Sequence, residues 1–104
     1  MQLRVRGFDW DDGNRTKCQK HGVAVAEIEE MLAGVVLIVP DEAHSQSEAR
    51  HRAIGRTASG RAVFIVFTIR ERGGASLIRP ISARYMHRHE IESYEKENPH
   101  LRQR

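Results

Sequence analysis

The segment RAVFIVFTIR, which runs from Arg61 to Arg70, places the strongest limit on how this chain can fold. Its interior is apolar at odd and even positions alike, so a β-strand formed from it would present apolar side chains on both faces. Turn-forming residues flank the segment, with Ala58–Gly60 before it and the pair Gly73-Gly74 after it. Each turn has a length that joins antiparallel neighbours. The segment is therefore predicted to be the shared strand of two hairpins, which together form a meander.

The remaining pattern predicts an α+β fold with two short amino-terminal helices, an antiparallel sheet of about four strands and a carboxy-terminal helix. Asp11 or Asp12 is the expected N-cap of the first helix, and Gly22 is its expected C′ residue. Pro80 interrupts the last strand and indicates an edge or a bulge there. The predicted elements, in order, are a strand at Leu3–Phe8, a helix within Asp11–Gly22, a helix within Val23–Gly34, strands at Val35–Val39, Arg50–Thr57, Arg61–Arg70 and Ser76–Arg84, and a helix at Met86–Glu97.

Composition narrows the class of protein. A chain of 104 residues with 39% hydrophobic and 6% aromatic residues is expected to form a single domain with a modest core. The lone cysteine, Cys18, cannot form an internal disulfide, which favours a reducing compartment. The start MQLRVRGFDWDD lacks the apolar region of a signal peptide, and the longest apolar run, Ala62–Phe67, is far shorter than the roughly 20 residues of a membrane-spanning helix. We therefore expect a cytoplasmic protein without a membrane partner.

Positive charge is concentrated in residues 50–88, which contain nine arginines and one acidic residue, Glu71. Arginine forms planar two-point contacts with phosphate that lysine does not. This block therefore favours a polyanionic partner. The alternative is a solvated sheet face whose arginines pair with the acidic first half of the chain.

The junction between the last predicted strand and the last predicted helix is dense in titratable side chains. If Met86–Glu97 is helical, then His87, Glu90, Ile91 and Tyr94 lie on one stripe that faces the sheet. By strand alternation, Arg84 is expected to share a face with Ser82 and Ile78. On a helix the side chains of His87 and His89 would point roughly 200° apart, which disfavours a shared metal ion. The sequence accordingly predicts no metal site and no cofactor.

Four short segments together resemble a known family. They are FDWDDGNRTKCQKHGV from Phe8 to Val23, IGR from Ile54 to Arg56, ISAR from Ile81 to Arg84, and the pair Glu90 and Tyr94. In this order and spacing they resemble the BrnT family of toxins from bacterial type II toxin–antitoxin systems. The resemblance implies a compact fold related to the RelE and ParE toxins and an RNA-cleaving activity that halts translation. It also implies neutralisation by a BrnA-type antitoxin with a ribbon-helix-helix end, so that DNA is contacted only through the antitoxin complex.

The resemblance also implies which residues act on RNA. The positions that match the family are Arg56, Arg84, Glu90, Tyr94, Lys20 and His21, whereas His87 and His89 depart from it. A metal-free ribonuclease must deprotonate the 2′-hydroxyl, stabilise a phosphorane and protonate the leaving 5′-oxygen. Arg56 and Arg84 suit the charge-stabilising role. The candidates for proton transfer are His21, His87, Glu90 and Tyr94, and the candidates for RNA binding are Lys20, Arg50, Arg52, Arg61, Arg79 and Arg88.

Each candidate also has a purely structural interpretation. His21 and Lys20 lie at a predicted helix end, where cations favour the terminal carbonyls. Arg84 can pair with Glu90, and Arg56 with an acid from the first half of the chain. Tyr94 can belong to the core. Two classes of function therefore stay open: a ribonuclease toxin, and a non-catalytic module that binds RNA or an operator complex.

Overall fold

The computed structural model describes residues 6–34, 36–42 and 48–102, and within these ranges three α-helices flank a four-stranded antiparallel sheet. This confirms the predicted α+β fold and the order of its elements from Asp11 onward; the described part of the predicted strand at Leu3–Phe8 forms only an isolated bridge at Phe8. Leu3–Val5 and Val35, which belong to two predicted strands, lie outside the described residues. The elements are α1 (Asp12–Gln19), α2 (Val25–Leu32), β1 (Val36–Pro40), β2 (His51–Arg56), β3 (Ala62–Arg72), β4 (Ala75–Tyr85), α3 (Arg88–Glu97) and a short 3₁₀ helix (Pro99–Arg102).

Local capping sets the bounds of α1. Asp11 is its N-cap, as predicted: the Asp11 carboxylate accepts a hydrogen bond from the Asn14 backbone N–H at 3.0 Å, and the Asn14 side chain accepts one from the Asp11 N–H at 2.7 Å. These reciprocal bonds satisfy amide groups that have no partner inside the helix. The helix ends at Gln19 with Lys20 as its C-cap, so Gly22, with φ of +91°, lies one residue further out than predicted.

The sheet is a meander with the order β1-β2-β3-β4. Its β3–β4 register shifts between Val66 and Phe67, which face Ser82 and Pro80, so Ile81 is the extra residue of a β-bulge. The bulge beside Pro80 confirms that prediction. The expectation that Arg84 shares a face with Ile78 is wrong. Arg84 pairs with Phe64, whereas Ile78 pairs with Ile69. Because these two partners are an odd number of residues apart on β3, Arg84 and Ile78 lie on opposite faces of the sheet.

Each face of the sheet carries its own apolar cluster, which explains why β3 is apolar throughout. The larger cluster packs between the sheet and helices α1 and α2, and it contains Cys18, Val23, Ile28, Met31, Ala53, Val63, Ile65, Phe67, Ile78 and Ala83. The smaller one lies under α3 and centres on Ile54, Ala62 and Ile91. No helix in the described parts of the chain is long and apolar enough to cross a membrane.

The free edge of β4 is covered by the segment just before α1. Backbone hydrogen bonds join Ile78 N–H to Gly7 O at 2.9 Å and Asp9 N–H to Ile78 O at 2.8 Å, with Phe8 and Ile78 forming a parallel bridge. Further along, the side-chain amide of Asn14 donates to Pro80 O at 2.9 Å. These bonds occupy backbone groups that an edge strand would otherwise leave unpaired.

The last helix begins later than predicted, at Arg88 rather than at Met86. His87 is its N-cap, with φ of −71° and ψ of 152°, which is extended rather than helical backbone. The Glu90 side chain accepts the His87 N–H at 3.1 Å and so closes the first turn. His87 therefore does not lie on the helical stripe with Glu90, Ile91 and Tyr94.

Candidate active site

Arg56 and Arg84 lie at the same end of the sheet, on the face that α3 covers, with β3 between them. Arg56 of β2 lies opposite Ala62, and Arg84 of β4 lies opposite Phe64. Ala62 and Phe64 are two residues apart on β3, so both arginines project from the same face and flank the start of the central hairpin strand. The register thus brings together two residues that are 28 positions apart in the sequence.

Arg84 lies between an aromatic ring and a carboxylate. Its guanidinium carbon is 4.7 Å from the centroid of the Phe64 ring, and its two terminal nitrogens donate to the two oxygens of Glu90 at 2.8 and 3.1 Å. The expected pairing with Glu90 is therefore present. The hydrogen bond to Glu90 raises the pKa of Arg84 above its ordinary value. About 42% of the Arg84 side chain stays exposed, so its guanidinium is oriented but open to solvent.

Glu90 is held as a carboxylate by its neighbours. The hydrogen bonds from Arg84, and then from the backbone N–H of His87, lower the pKa of Glu90 to about 2. The oxygen that accepts the His87 N–H at 3.1 Å also accepts from Arg84 at 3.1 Å. A carboxylate with so low a pKa accepts a proton poorly at neutral pH. The geometry makes Glu90 the counterion of Arg84 and the residue whose side chain caps the first turn of α3.

Arg56 is bound more completely than Arg84. Its Nε and one terminal nitrogen donate to Glu95 at 2.6 and 2.9 Å, and its other terminal nitrogen donates to Gly60 O at 2.8 Å. The Glu95 side chain is only 6% exposed, and the Arg56 side chain is 30% exposed. The expectation of a partner in the first half of the chain is wrong for Arg56, because α3 supplies the carboxylate.

Sequence reasoning did not single out Glu95, although its position carries a signal. Ile91, Tyr94 and Glu95 follow the i, i+3, i+4 spacing of one helix face. That face packs on the sheet, where Ile91 is buried and Tyr94 is half-buried against the smaller cluster. A carboxylate on the inward face of a helix, above a strand that carries arginines, predicts a buried ion pair.

The two histidines beside α3 lie next to each other in the structure. The His87 and His89 rings are stacked with centroids 6.1 Å apart and an angle of 6° between their planes. The expectation that they point far apart is wrong, because His87 precedes the helix. Both residues are exposed. Within the described ranges no group of three or more His, Cys, Asp or Glu residues is gathered closely enough to hold a metal ion.

His21 and Lys20 occupy the exposed turn that follows α1. This turn reaches the same end of the sheet as Arg84 but contacts the opposite face. The contact runs through Tyr85, whose hydroxyl lies 3.4 Å from Gly22 O and donates to Glu27 at 2.7 Å. Tyr85 faces away from Arg84 because the two are consecutive in β4. The structure therefore places His21 beside Gly22, on the opposite side of the sheet from Arg84.

Most of the other arginines of the basic block are already paired. By register, one sheet face carries Arg52, Arg56, Arg70, Arg72, Arg79 and Arg84. Four of them pair with acids from the first half of the chain, namely Arg52 with Asp41, Arg70 with Glu48, Arg72 with Asp9, and Arg79 with Asp9 and Asp11. The structural alternative thus holds for these four, whereas Arg56 and Arg84 pair with α3.

The predicted RNA-binding residues divide between two ends of the molecule. Arg61 and Arg88 are exposed and line a cleft beside Arg56 at the α3 end. Arg50 and Arg79 line a different hollow, with Lys17 and Arg70, near the start of α1. A continuous RNA path would have to cross the sheet face between these two clusters.

The chain was compared with models of known protein families. The model of a family described as "Ribonuclease toxin, BrnT, of type II toxin-antitoxin system" matches residues 10–90. The matched region includes α1, the whole sheet, and the Arg84–Glu90 pair. No curated protein matches the chain.

Proposed function

Because the chain belongs to the BrnT family of ribonuclease toxins of type II toxin–antitoxin systems, we propose that it is an endoribonuclease that binds the scissile phosphate with Arg84 and moves protons with His87. The family membership supplies the reaction class and implies an antitoxin partner. The residue roles rest on the geometry at the start of α3. The observation that carries them is the single Glu90 oxygen shared by Arg84 and the His87 backbone, which keeps a guanidinium and an imidazole-bearing residue together.

The proposed reaction needs no group beyond the side chains at this end of the sheet. The 2′-oxygen forms a bond to phosphorus, and the bond from phosphorus to the 5′-oxygen breaks. The proton of the 2′-hydroxyl passes to a base, and the 5′-oxygen takes up a proton, which leaves a 2′,3′-cyclic phosphate and a 5′-hydroxyl. Imidazole is the side chain that titrates nearest neutral pH, so exposed His87 suits proton transfer better than Glu90.

Arg84 suits the charge-stabilising role because it is oriented yet accessible. Phe64 and Glu90 fix the plane of its guanidinium, so the N–H groups are preorganised before RNA arrives. Its Nε makes no hydrogen bond within the described residues and is a donor for a phosphate oxygen. Each nitrogen of Arg56, in contrast, is hydrogen-bonded. In this proposal Arg56 anchors α3 over the site.

Cleavage assays on substitutions at Arg84 test the proposal. Lysine at this position keeps the charge but loses the planar fork, so Arg84→Lys should slow cleavage on the order of 10²- to 10³-fold, and Arg84→Ala at least as much. Arg72→Lys is the matched control, since Arg72 lies on the same sheet face, pairs with Asp9 and belongs to the far end of β3. Purified, antitoxin-free protein would be incubated with a long RNA in the presence of EDTA, and thermal melts would be recorded for every variant.

The same assay separates the roles of the neighbouring histidines. His87→Ala should lose activity and change the pH dependence of the rate, whereas His89→Ala should keep both. If the Arg84 variants cleave like the parent, or fail only because they unfold, Arg84 is a structural ion-pair residue. If the parent retains RNA without cleaving it, the chain is a binding module rather than a nuclease.

The antitoxin is proposed to be of the BrnA type, with a ribbon-helix-helix end, and to cover α3 and the basic face formed by residues 50–88. Acidic segments would complement the charge of that face, and apolar segments would suit its flanks. Co-expression should yield a complex that survives purification. Expression of the free chain should stop bacterial growth and amino-acid incorporation, and unimpaired growth at high expression would count against the toxin proposal.

A further inference from the structure

The cleft that Arg61 and Arg88 line lies beside Arg56, at the same end of the sheet as the proposed phosphate site. It has a volume of about 430 Å³ and lies where the β2–β3 turn, the end of β4 and the start of α3 meet. Its lining includes three apolar residues, of which Ala62 and Ile91 are buried and Met86 is half-buried. Its rim carries three arginines and a single carboxylate: Arg56, Arg61, Arg88 and Glu92. Apolar side chains beside three arginines suit a nucleotide, which has a flat base and an anionic phosphate.

A stacked pair forms one wall of this cleft. The guanidinium carbon of Arg61 lies 3.4 Å from the centroid of the Tyr85 ring, which is van der Waals contact. Arg61 is exposed, and Tyr85 covers one side of its guanidinium plane. Bases in single-stranded RNA stack on aromatic rings and on guanidinium planes. Arg61 on Tyr85 therefore presents a flat, positively charged surface of the kind that a base covers.

Tyr85 is held in place from the other side of the sheet. Its hydroxyl donates to Glu27 at 2.7 Å, and Glu27 in turn accepts the Ala24 N–H at 3.0 Å at the start of α2. The hydrogen bond to Glu27 raises the pKa of Tyr85. A phenol with a raised pKa and a carboxylate partner is a poor proton donor to RNA. Its part in the cleft is to support Arg61.

We propose that this cleft binds the base of a nucleotide adjacent to the scissile phosphate, stacked on the Arg61 guanidinium that Tyr85 supports. The phosphate side of that nucleotide then lies toward Arg84, because the cleft also contains Arg56 and Ala62, which share with Arg84 the sheet face under α3. Arg88 is exposed, and within the described ranges its side chain forms an i,i+4 pair with Glu92 at 2.9 Å and no other ion pair, so it is available to a backbone phosphate. This inference rests on the proposed function, and it assigns that function its base-binding residues.

Binding of a non-cleavable oligonucleotide tests the inference apart from catalysis. The probe is a short 2′-O-methyl RNA, and its comparator is an abasic backbone of the same length and charge; both are measured by fluorescence anisotropy. The parent should bind the 2′-O-methyl RNA more tightly than the abasic backbone, by roughly 5- to 150-fold, which is the range expected for one stacking contact. Arg61→Lys keeps the charge and removes the plane, so it should lose most of this preference while the salt dependence of binding stays the same.

Two further variants test whether the loss of preference for bases is specific to the guanidinium plane of Arg61. Arg72→Lys, far from the cleft, should keep the parent's preference for bases. Tyr85→Phe keeps the ring but not the bond to Glu27, and it should lower the preference less than Arg61→Lys. Equal preference in the parent and Arg61→Lys would overturn the inference, as would a parent that binds both probes equally.

The two proposals fail in distinguishable ways. A parent that cleaves RNA but shows no effect of Arg61→Lys on the preference for bases retains the nuclease function and loses the base site. A parent that discriminates bases through Arg61 but does not cleave RNA retains the base site as part of an RNA-binding protein.

Discussion

The Arg56–Glu95 pair yields a quantitative prediction, because its two side chains differ in exposure. Removing one member of a fully buried pair costs about 3–5 kcal/mol, whereas exposed pairs contribute about 0–1 kcal/mol. Glu95 is 6% exposed, but Arg56 is 30% exposed and can turn partly to water once its partner is lost. We therefore expect Glu95→Ala to lower the free energy of unfolding by about 2 kcal/mol, between the two limits. For a domain of this size the melting temperature should fall by about 8–16 °C.

The assay is urea unfolding at pH 7, followed by circular dichroism and by the fluorescence of Trp10, the single tryptophan. Glu92→Ala is the matched control, because Glu92 lies on the same helix and also pairs with an arginine, but that pair is 91% and 55% exposed. It should cost no more than about 0.5 kcal/mol. A double-mutant cycle with Arg56→Met should give a coupling energy of about 1–2 kcal/mol.

Equal stabilities of Glu95→Ala and Glu92→Ala would refute this reasoning. The guanidinium of Arg56 would then be held no more firmly than a surface side chain, and it would be available to RNA beside Arg84. A large loss of stability with intact cleavage in the surviving folded fraction would instead support the anchoring role.

Two further predictions follow from the titration of individual groups. The pKa of Glu90 is lowered from 4.5 to about 2, so the contribution of its ionised form to stability is complete above about pH 4.5 and is lost as the pH falls through 2. The difference in unfolding free energy between the parent and Glu90→Gln should therefore shrink as the pH falls over that interval. A difference that stays constant with pH would contradict the assignment. Burial raises the pKa of the Cys18 thiol to about 11, so iodoacetamide at pH 8 should label it only after unfolding in urea, and labelling of the folded protein at the rate of a free thiol would contradict its burial.

The sequence provided candidate site residues, and it provided the partner of one of the two central arginines but not of the other. The resemblance and the basic block pointed to Arg56 and Arg84, and a nearby helical carboxylate made Glu90 the evident partner of Arg84. Arg56, however, pairs with Glu95, which is 39 residues away in the sequence. No local pattern links the two, because their contact depends on how α3 crosses the sheet.

Properties that depend on neighbours along the chain were determined by the sequence itself. The apolar run of β3, the turns on either side of it and the N-cap at Asp11 each act within a few residues, so they predicted the meander and the start of α1. What spans several elements was decided only by the tertiary structure. The bulge at Ile81 reverses which side chains share a face with Arg84, and the stack of Arg61 on Tyr85 requires β3 and β4 to align. Such contacts depend on register and packing, which are set by the whole core rather than by any one segment.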